Sequence, residues 1–221
     1  MADERFEVPL FPLNVVLFPG MALPLHVFES RYRRMIADCL ADRAPFGVVL
    51  AESEGEGGGA DVGEPVVWAR VGTLARIADY EKLPDGRYNL LAKGTRRFAV
   101  LQLNPGKAYL TATVRPFQDE DEGVTDNVIA AARTALDAYL HAVMALVGSA
   151  DQPIAIPDDP VDLSYLVGTC LTCEDCEKQV LLEMRSLARR LREGARMLRK
   201  ETELLTQQGG ETATLDRSML N

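Results

Sequence analysis

An apolar stretch interrupted by prolines, Pro9 to Leu40, does most to limit how this chain can fold. Two short apolar runs, Leu13 to Phe18 and Met21 to Phe28, flank the turn dipeptide Pro19-Gly20. Prolines lack an amide donor, which confines them to the ends, edges or bulges of strands. The apolar period then changes to that of one helix face. The stretch therefore predicts strand, turn, strand and a short helix over 30–41.

Further strand-forming runs follow this opening unit as far as Phe117. Many short strands separated by turn signals indicate a barrel or sandwich and not alternating strands and helices. Asp85-Gly86 is the clearest hairpin turn among them. The predicted strands cover 46–51, 66–70, 71–80, 87–91, 96–103 and 109–117, with an interruption at Gly94.

The composition changes to helix formers after the acidic hinge 119–122. One helical face runs from Val128 to Val147, and Gly148 is expected to end that helix. Asp159-Pro160 predicts the start of a second, shorter helix. The last predicted helix runs from Glu174 to Thr206, roughly 50 Å at ~1.5 Å per residue. Its apolar positions repeat at the spacing of helix-to-helix seams: Leu181, Met184, Ala188, Leu191, Ala195, Leu198, Thr202 and Leu205.

Several blocks of the sequence, in order, resemble the N-terminal substrate-binding domain family of Lon proteases. The resemblance covers about residues 5 to 205. It implies an α+β protein with a PUA-like pseudo-β-barrel, which we place over 1–118, and then a helical bundle with one long terminal helix, which we place over 119–208. Residues 209–221 are expected to form a flexible tail. The blocks are LFPLNVVLFPG at 10–20, LPLHVFESRYRRM at 23–35, Val71–Ala75, Leu83–Tyr88, Gly94–Phe98 and, more weakly, Glu177–Gln179.

Motifs for catalysis are not found in the sequence. It contains neither a GxxxxGK[ST] phosphate-binding loop nor a GxSxG nucleophile elbow. The two histidines, His26 and His141, lie in apolar segments, where packed histidines are more common than catalytic bases. We therefore expect a protein that is not an enzyme and has no cofactor.

The charge and the opening residues bear on partners and location. A net charge of −9 disfavours binding dominated by nucleic-acid phosphates. The first residues do not resemble an export signal, and prolines interrupt the most apolar segment, 10–28, so we expect neither export nor a membrane span. The expected location is the cytoplasm.

Three cysteines at regular spacing, Cys170, Cys173 and Cys176, are the sharpest local motif. Three thiolates could begin a zinc or iron–sulfur site, with Cys39 as a fourth ligand. No nearby histidine or second CxxC completes the set. The hypothesis is that these cysteines are packing thiols and that no metal is bound, with a thiol-ligated metal as an alternative.

The resemblance implies a non-catalytic module that binds unfolded or extended polypeptide. An open strand edge and apolar pockets can provide such binding. Such a module could be an adaptor for a separate protease or ATPase, and the long C-terminal helix could form a homodimer contact. RNA binding by the barrel is an alternative function. A stripe of arginines could contact phosphate or an acidic peptide, or it could pair with the acidic hinge. A gating role for the acidic, glycine-rich loop 52–65 also stays open. The candidate peptide contacts are Met21, Leu23, Phe28 and Tyr32, and the stripe is Arg185, Arg189, Arg192, Arg196 and Arg199.

Overall fold

The computed structural model describes residues 4–52, 67–146 and 155–218. Most of the acidic loop 52–65, and Gly148, lie outside the described residues. The chain divides into two compact units. One contains Met1–Gln118 together with Glu174–Glu183, and the other contains Asp119–Cys173 and Met184–Asn221.

The first unit is built on a mixed sheet. Its strands follow the order β1-β7-β6-β5-β3-β4, and β1 also pairs in parallel with β3, so that five strands close on themselves. β2 pairs only with β6 among the described residues. The elements are β1 (Phe6–Leu13), β2 (Ala22–Val27), α1 (Ser30–Asp42), β3 (Phe46–Glu52), β4 (Val67–Trp68), β5 (Val71–Lys82), β6 (Tyr88–Asn104) and β7 (Thr111–Pro116).

The opening strand lies earlier than the sequence predicts. β1 pairs with β7 through its first half and with β3 through Leu10–Leu13, whereas the predicted strand Leu13 to Phe18 is irregular. That run is nevertheless buried, because Val16, Leu17 and Phe18 are almost inaccessible to solvent. An apolar run identified burial correctly here and pairing wrongly. The helix predicted over 30–41 is confirmed as α1.

The predicted interruption at Gly94 is also wrong, because β6 is continuous through it. The glycine is needed for close approach: a Cβ there would lie 2.3 Å from the carbonyl oxygen of Phe18. The Gly94 amide donates to the Met21 carbonyl (2.9 Å), and its carbonyl accepts from the Gly20 amide (2.9 Å). Gly94 thus ties β6 to the turn before β2.

The core of this unit lies between α1 and the sheet. α1 contributes Tyr32, Met35, Ile36 and Cys39, which pack with inward-facing residues of β2 and β6 such as Val27 and Leu90. A second cluster surrounds Phe98. Burial of these side chains, at about 1.5–3 kcal/mol each, is the main force that holds α1 on the sheet.

The second unit is helical. Its helices are α2 (Asp126–Leu146), α3 (Pro160–Cys170) and α5 (Leu187–Ser218), while α4 (Asp175–Glu183) belongs to the first unit. The predicted start of α3 is confirmed: one Asp159 carboxylate oxygen accepts from the amides of Val161 and Asp162, each at 2.9 Å. By length and composition alone α2 could span a membrane. This is weak evidence for a membrane span, because the core helix of a globular protein passes the same test.

The single terminal helix predicted from Glu174 to Thr206 is instead two helices. α4 ends at Glu183, and α5 continues to Ser218, into the predicted flexible tail. Between them, the Arg185 carbonyl accepts from the Glu120 amide (2.8 Å), and the Leu187 amide donates to the Glu120 carbonyl (3.0 Å). The chain bends here because these backbone groups pair with the hinge segment and not within a helix.

Side-chain anchors explain why α4 groups with the strands although the sequence assigned it to the helical part. Buried Arg97 of β6 donates to the Leu182 carbonyl at 2.5 Å. The buried amide of Gln179 donates to the Val71 carbonyl of β5 at 3.0 Å. Both bonds join α4 to the sheet of the first unit.

Candidate functional site: an exposed face of three strands

Strands β2, β6 and β5 present one solvent-exposed surface, which we name the outer face. Alternate residues of each strand point to it, while their neighbours point to the core beneath α1. The pairing register arranges these residues in three rows across the sheet. The rows are Ala22–Lys93–Arg76, Pro24–Leu91–Asp79 and His26–Asn89–Glu81, and all nine residues are exposed.

A bulge in β5 decides which of its residues reach this face. The register with β6 shifts between Ile77 and Asp79, so that Asp79 and not Ala78 lies opposite Leu91. Tyr80 consequently lies on the inner side, where its ring is 6.5 Å from that of Tyr88. Bulges commonly re-aim side chains next to functional surfaces.

Apolar side chains occupy the centre and one end of the outer face. Leu91 is 41% exposed and lies opposite Pro24 in the middle row. Phe28, just beyond the end of β2, is 62% exposed, and its ring stacks near that of His26 at 6.3 Å. The His26–Asn89 row separates Leu91 from Phe28, so a ligand that runs along the strands can contact both side chains on the same face.

A polar network borders Phe28 and holds the third row in place. The His26 Nδ1 lies 2.7 Å from Oδ1 of Asn89, and its Nε2 lies 3.2 Å from Nη1 of Arg87. Arg87 also forms an ion pair with Asp85 at 2.7 Å. Asn89 extends the row to Glu81 at 3.4 Å. These contacts fix His26 as a positioned polar neighbour of Phe28.

Two cations stand at the opposite end of the face. Arg76 and Lys93 lie directly opposite each other in the β5–β6 register, and both are exposed. Among the described residues neither side chain forms an ion pair or a hydrogen bond. This end of the face is therefore positive, in contrast to the Asp79 and Glu81 side of the lower rows.

The structure separates the four residues predicted as peptide contacts. Phe28 is at the surface, whereas Leu23 (7% exposed) and Tyr32 (8% exposed) lie in the core, with Tyr32 stacked on Phe11 at 4.2 Å. Met21 is partly buried and packs against the same core. Only Phe28 of the four offers a large area to a ligand. Sequence reasoning missed Leu91, Arg76 and Lys93, whose common face depends on strand pairing.

The cysteines show no arrangement for a metal in the described part of the chain, where no cluster of three potential ligands is found. Cys39 is buried, and burial, reinforced by Asp38 and Asp42, raises its pKa to about 11. Burial also raises the pKa of Cys170, whereas Cys176 is exposed. For Cys39 and Cys170, burial favours the protonated thiol over the thiolate.

The arginine stripe, which begins with Arg185 just before α5 and continues along α5, is partly paired with acidic groups. Arg185 forms an ion pair with Glu120 of the hinge at 3.2 Å, as one of the predicted interpretations requires. Arg196 pairs with Glu193 of its own helix at 2.5 Å. The pairing lowers the positive charge available for a phosphate backbone.

A closed mixed sheet with one exposed three-stranded face, followed by helices, defines a protein of the α+β class. The family model of the ATP-dependent protease La (LON) substrate-binding domain matches residues 7–200. The chain belongs to this family, as its sequence blocks indicate.

Relatives support this assignment. The Lon protease of Anaeromyxobacter dehalogenans is 31% identical over 212 residues, covering 92% of this chain and 24% of the relative. The Lon protease of Roseiflexus castenholzii is 29% identical over 203 residues, covering 90% of this chain and 25% of the relative. The chain thus spans about a quarter of the length of these relatives.

Two solved structures are similar to most of the chain. The Lon N-terminal domain protein from Xanthomonas campestris has a TM-score of 0.60 and 27% identity, covering 85% of this chain and 96% of that one. The N-terminal domain of Mycobacterium avium complex Lon protease has a TM-score of 0.63 at 18% identity, covering 87% and 98%. The second similarity shows the fold alone. The PUA-like assignment of the barrel stays a prediction.

Proposed function

We propose that this protein is a non-catalytic module that binds extended polypeptide on the outer face. The observation that carries the proposal is the exposure of Phe28 and Leu91 on one sheet surface, in a chain of the substrate-binding family. Two exposed apolar side chains on one sheet face, separated by the His26–Asn89 row, can each contact a different apolar side chain of an extended ligand.

The unpaired edge of β2 adds a second mode of contact. Among the described residues β2 pairs only with β6, so its other edge can accept a strand from a ligand. Pro24 removes one amide donor from this strand, which limits ladder formation and protects against uncontrolled edge pairing. We infer weak binding that tolerates many sequences, with apolar contacts supplying most of the affinity.

The family match suggests what polypeptide binding by this protein is for. It covers the substrate-binding domain, so we propose an adaptor that presents bound polypeptides to a separate protease or ATPase in the cytoplasm. A homodimer contact through the C-terminal helix also remains a prediction. The apolar side chains of α5 are buried as far as Leu198, whereas Leu204 is exposed and could take part in such a contact.

The test is titration of fluorescein-labelled, reduced and carboxymethylated α-lactalbumin with the full chain, followed by anisotropy. Phe28→Asp and Leu91→Asp should each weaken binding at least fivefold, because a charge replaces the apolar contact. Matched controls are Tyr80→Asp, an exposed aromatic on the inner side, and Leu101→Asp, a leucine of β6 that is equally exposed at 42%. Equal losses in all four variants, or no binding by the unaltered protein, would refute the proposal.

A further inference from the structure

We propose that the outer face selects polypeptide segments with an acidic residue two positions from an apolar one, the acidic side chain lying between Arg76 and Lys93. This inference rests on the proposed function and specifies the chemistry of its ligand. The cation pair defines a charge pattern for the ligand, which the apolar contacts alone do not.

A pair of like charges marks one end of the outer face. Arg76 and Lys93 are direct neighbours across β5 and β6. Directly opposed like charges destabilise a sheet, and nothing in the described part of the chain neutralises either side chain. A carboxylate placed between them would interact with both cations and remove their repulsion. A bound carboxylate would therefore be favoured at this position.

The spacing between the cation pair and Leu91 matches the repeat of an extended chain. Leu91 is two residues from Lys93 on β6, and Pro24 lies beside Leu91 on β2. Two residues of an extended chain span roughly 6.6 Å, at ~3.3 Å per residue. A ligand running along the strands has the same repeat. Its acidic side chain and its apolar side chain would therefore reach the cation pair and Leu91 when they are two positions apart.

Nucleic acid could also supply an anion, but its uniform charge does not match the outer face. A nucleic-acid strand carries negative charge along its whole length, and it would meet Asp79 and Glu81 one and two rows below the cation pair. The network around His26 also includes the carboxylates of Asp85 and Glu81. A single acidic residue beside apolar ones matches this uneven charge, whereas a polyanion does not.

The experiment uses three fluorescein-labelled peptides that differ at one residue. Each carries the same extended apolar sequence, with Glu, Gln or Lys two positions before a leucine. Anisotropy titration at low salt should rank the affinities Glu above Gln above Lys, with the Glu and Lys peptides differing about tenfold. Exposed ion pairs contribute modestly each, and two cations act here.

Variants then locate the preference. Arg76→Gln combined with Lys93→Gln should reduce the ratio between the Glu and Lys peptides to about twofold or less. The matched control is Arg115→Gln with Lys200→Gln, an exposed arginine and an exposed lysine outside both the outer face and the arginine stripe, which should leave the ratio unchanged. A ratio that persists in the first variant, or that falls equally in the control, would overturn the proposal.

The remaining outcomes are also decisive. Equal affinity for the three peptides would refute the acidic preference and leave the proposed polypeptide binding intact. No binding by any peptide would refute both. A fluorescein-labelled oligouridylate that competes with the Glu peptide and loses affinity in the Arg76→Gln, Lys93→Gln variant would show that phosphate is the ligand, contrary to the proposal.

Discussion

Arg190 and Asp119 form a buried ion pair, with Nη2 of the arginine 2.6 Å from Oδ1 of the aspartate and the arginine side chain only 1% exposed. The guanidinium also donates to the hydroxyl of Ser164 (2.9 Å) and to the Met184 carbonyl (2.7 Å). The Tyr165 hydroxyl donates to the second oxygen of Asp119 at 3.0 Å. Within the helical unit, this network fixes the hinge segment to α3 and to the start of α5.

Removing Asp119 should therefore destabilise the helical unit strongly. Asp119→Ala leaves the Arg190 charge buried without its counterion, and we expect a loss of about 3–5 kcal/mol in the free energy of unfolding, measured by urea titration. Replacing both partners, as Asp119→Leu with Arg190→Met, removes the charges together and should cost clearly less. A double variant at least as unstable as Asp119→Ala would contradict this account.

The two side-chain anchors of α4 lead to a local prediction. Arg97→Met removes the hydrogen bond to the Leu182 carbonyl and leaves that buried acceptor unsatisfied, at a cost of about 1–3 kcal/mol. Hydrogen exchange should accelerate in the amides of α4, and the amides of α3 serve as the internal reference. Unchanged exchange in α4 would show that the anchor contributes nothing to its stability.

How far the sequence predicts this architecture depends on the range of the interaction that decides each feature. The cap of α3 was predictable, because Asp159 bonds to amides two and three residues away. The break before α5 was not, since the heptad pattern runs through Met184 and the competing partner, Glu120, is distant in sequence. Local chemistry is readable in a single chain, whereas pairing with a remote backbone segment is not.

The outer face shows the same limit. Alternation along β5 from Arg76 would place Ala78 and Tyr80 on that face, but the register shift before Asp79 exchanges the two sides. Exposure of Phe28 and burial of Tyr32 likewise depend on where α1 packs, which apolar character alone does not determine. The family resemblance indicated the class of the proposed function, whereas strand register determines which residues lie on the outer face.

Phe28 and Tyr32 should respond oppositely to truncation. Phe28→Ala removes an exposed ring and should change the free energy of unfolding by no more than about 0.5 kcal/mol. Tyr32→Ala empties a core position stacked on Phe11 and should cost about 3–5 kcal/mol. Urea titrations of both variants check this, and a similar cost for the two would place Phe28 in the core, against the structure.

Lys93→Glu offers a direct test of the repulsion on the outer face. The variant turns an opposed like-charge pair into an opposite-charge pair with Arg76, so stability should rise by about 0.2–1 kcal/mol. The gain should shrink at high salt, where exposed charges are screened. Arg115→Glu, with a similar change of charge on β7, is the control and should not stabilise. A destabilised Lys93→Glu variant would mean that the two side chains do not repel each other.

Buried Cys39 should make the first unit sensitive to alkaline pH. Burial, with Asp38 and Asp42, raises the pKa of its thiol to about 11, from an ordinary value of 9.0. The unfolded chain therefore releases this proton first, so the stabilisation is complete below about pH 9 and is lost as pH rises towards 11. The full effect is about 2–3 kcal/mol in the free energy of unfolding. Urea titrations from pH 8 to 11 should show a steeper fall in the free energy of unfolding for the unaltered protein than for Cys39→Ala. Tyr109→Phe is measured in parallel as a control, because burial and Asp38 also raise the pKa of Tyr109 to about 12. Parallel curves for the unaltered protein and Cys39→Ala would show that the thiol does not contribute to the pH dependence.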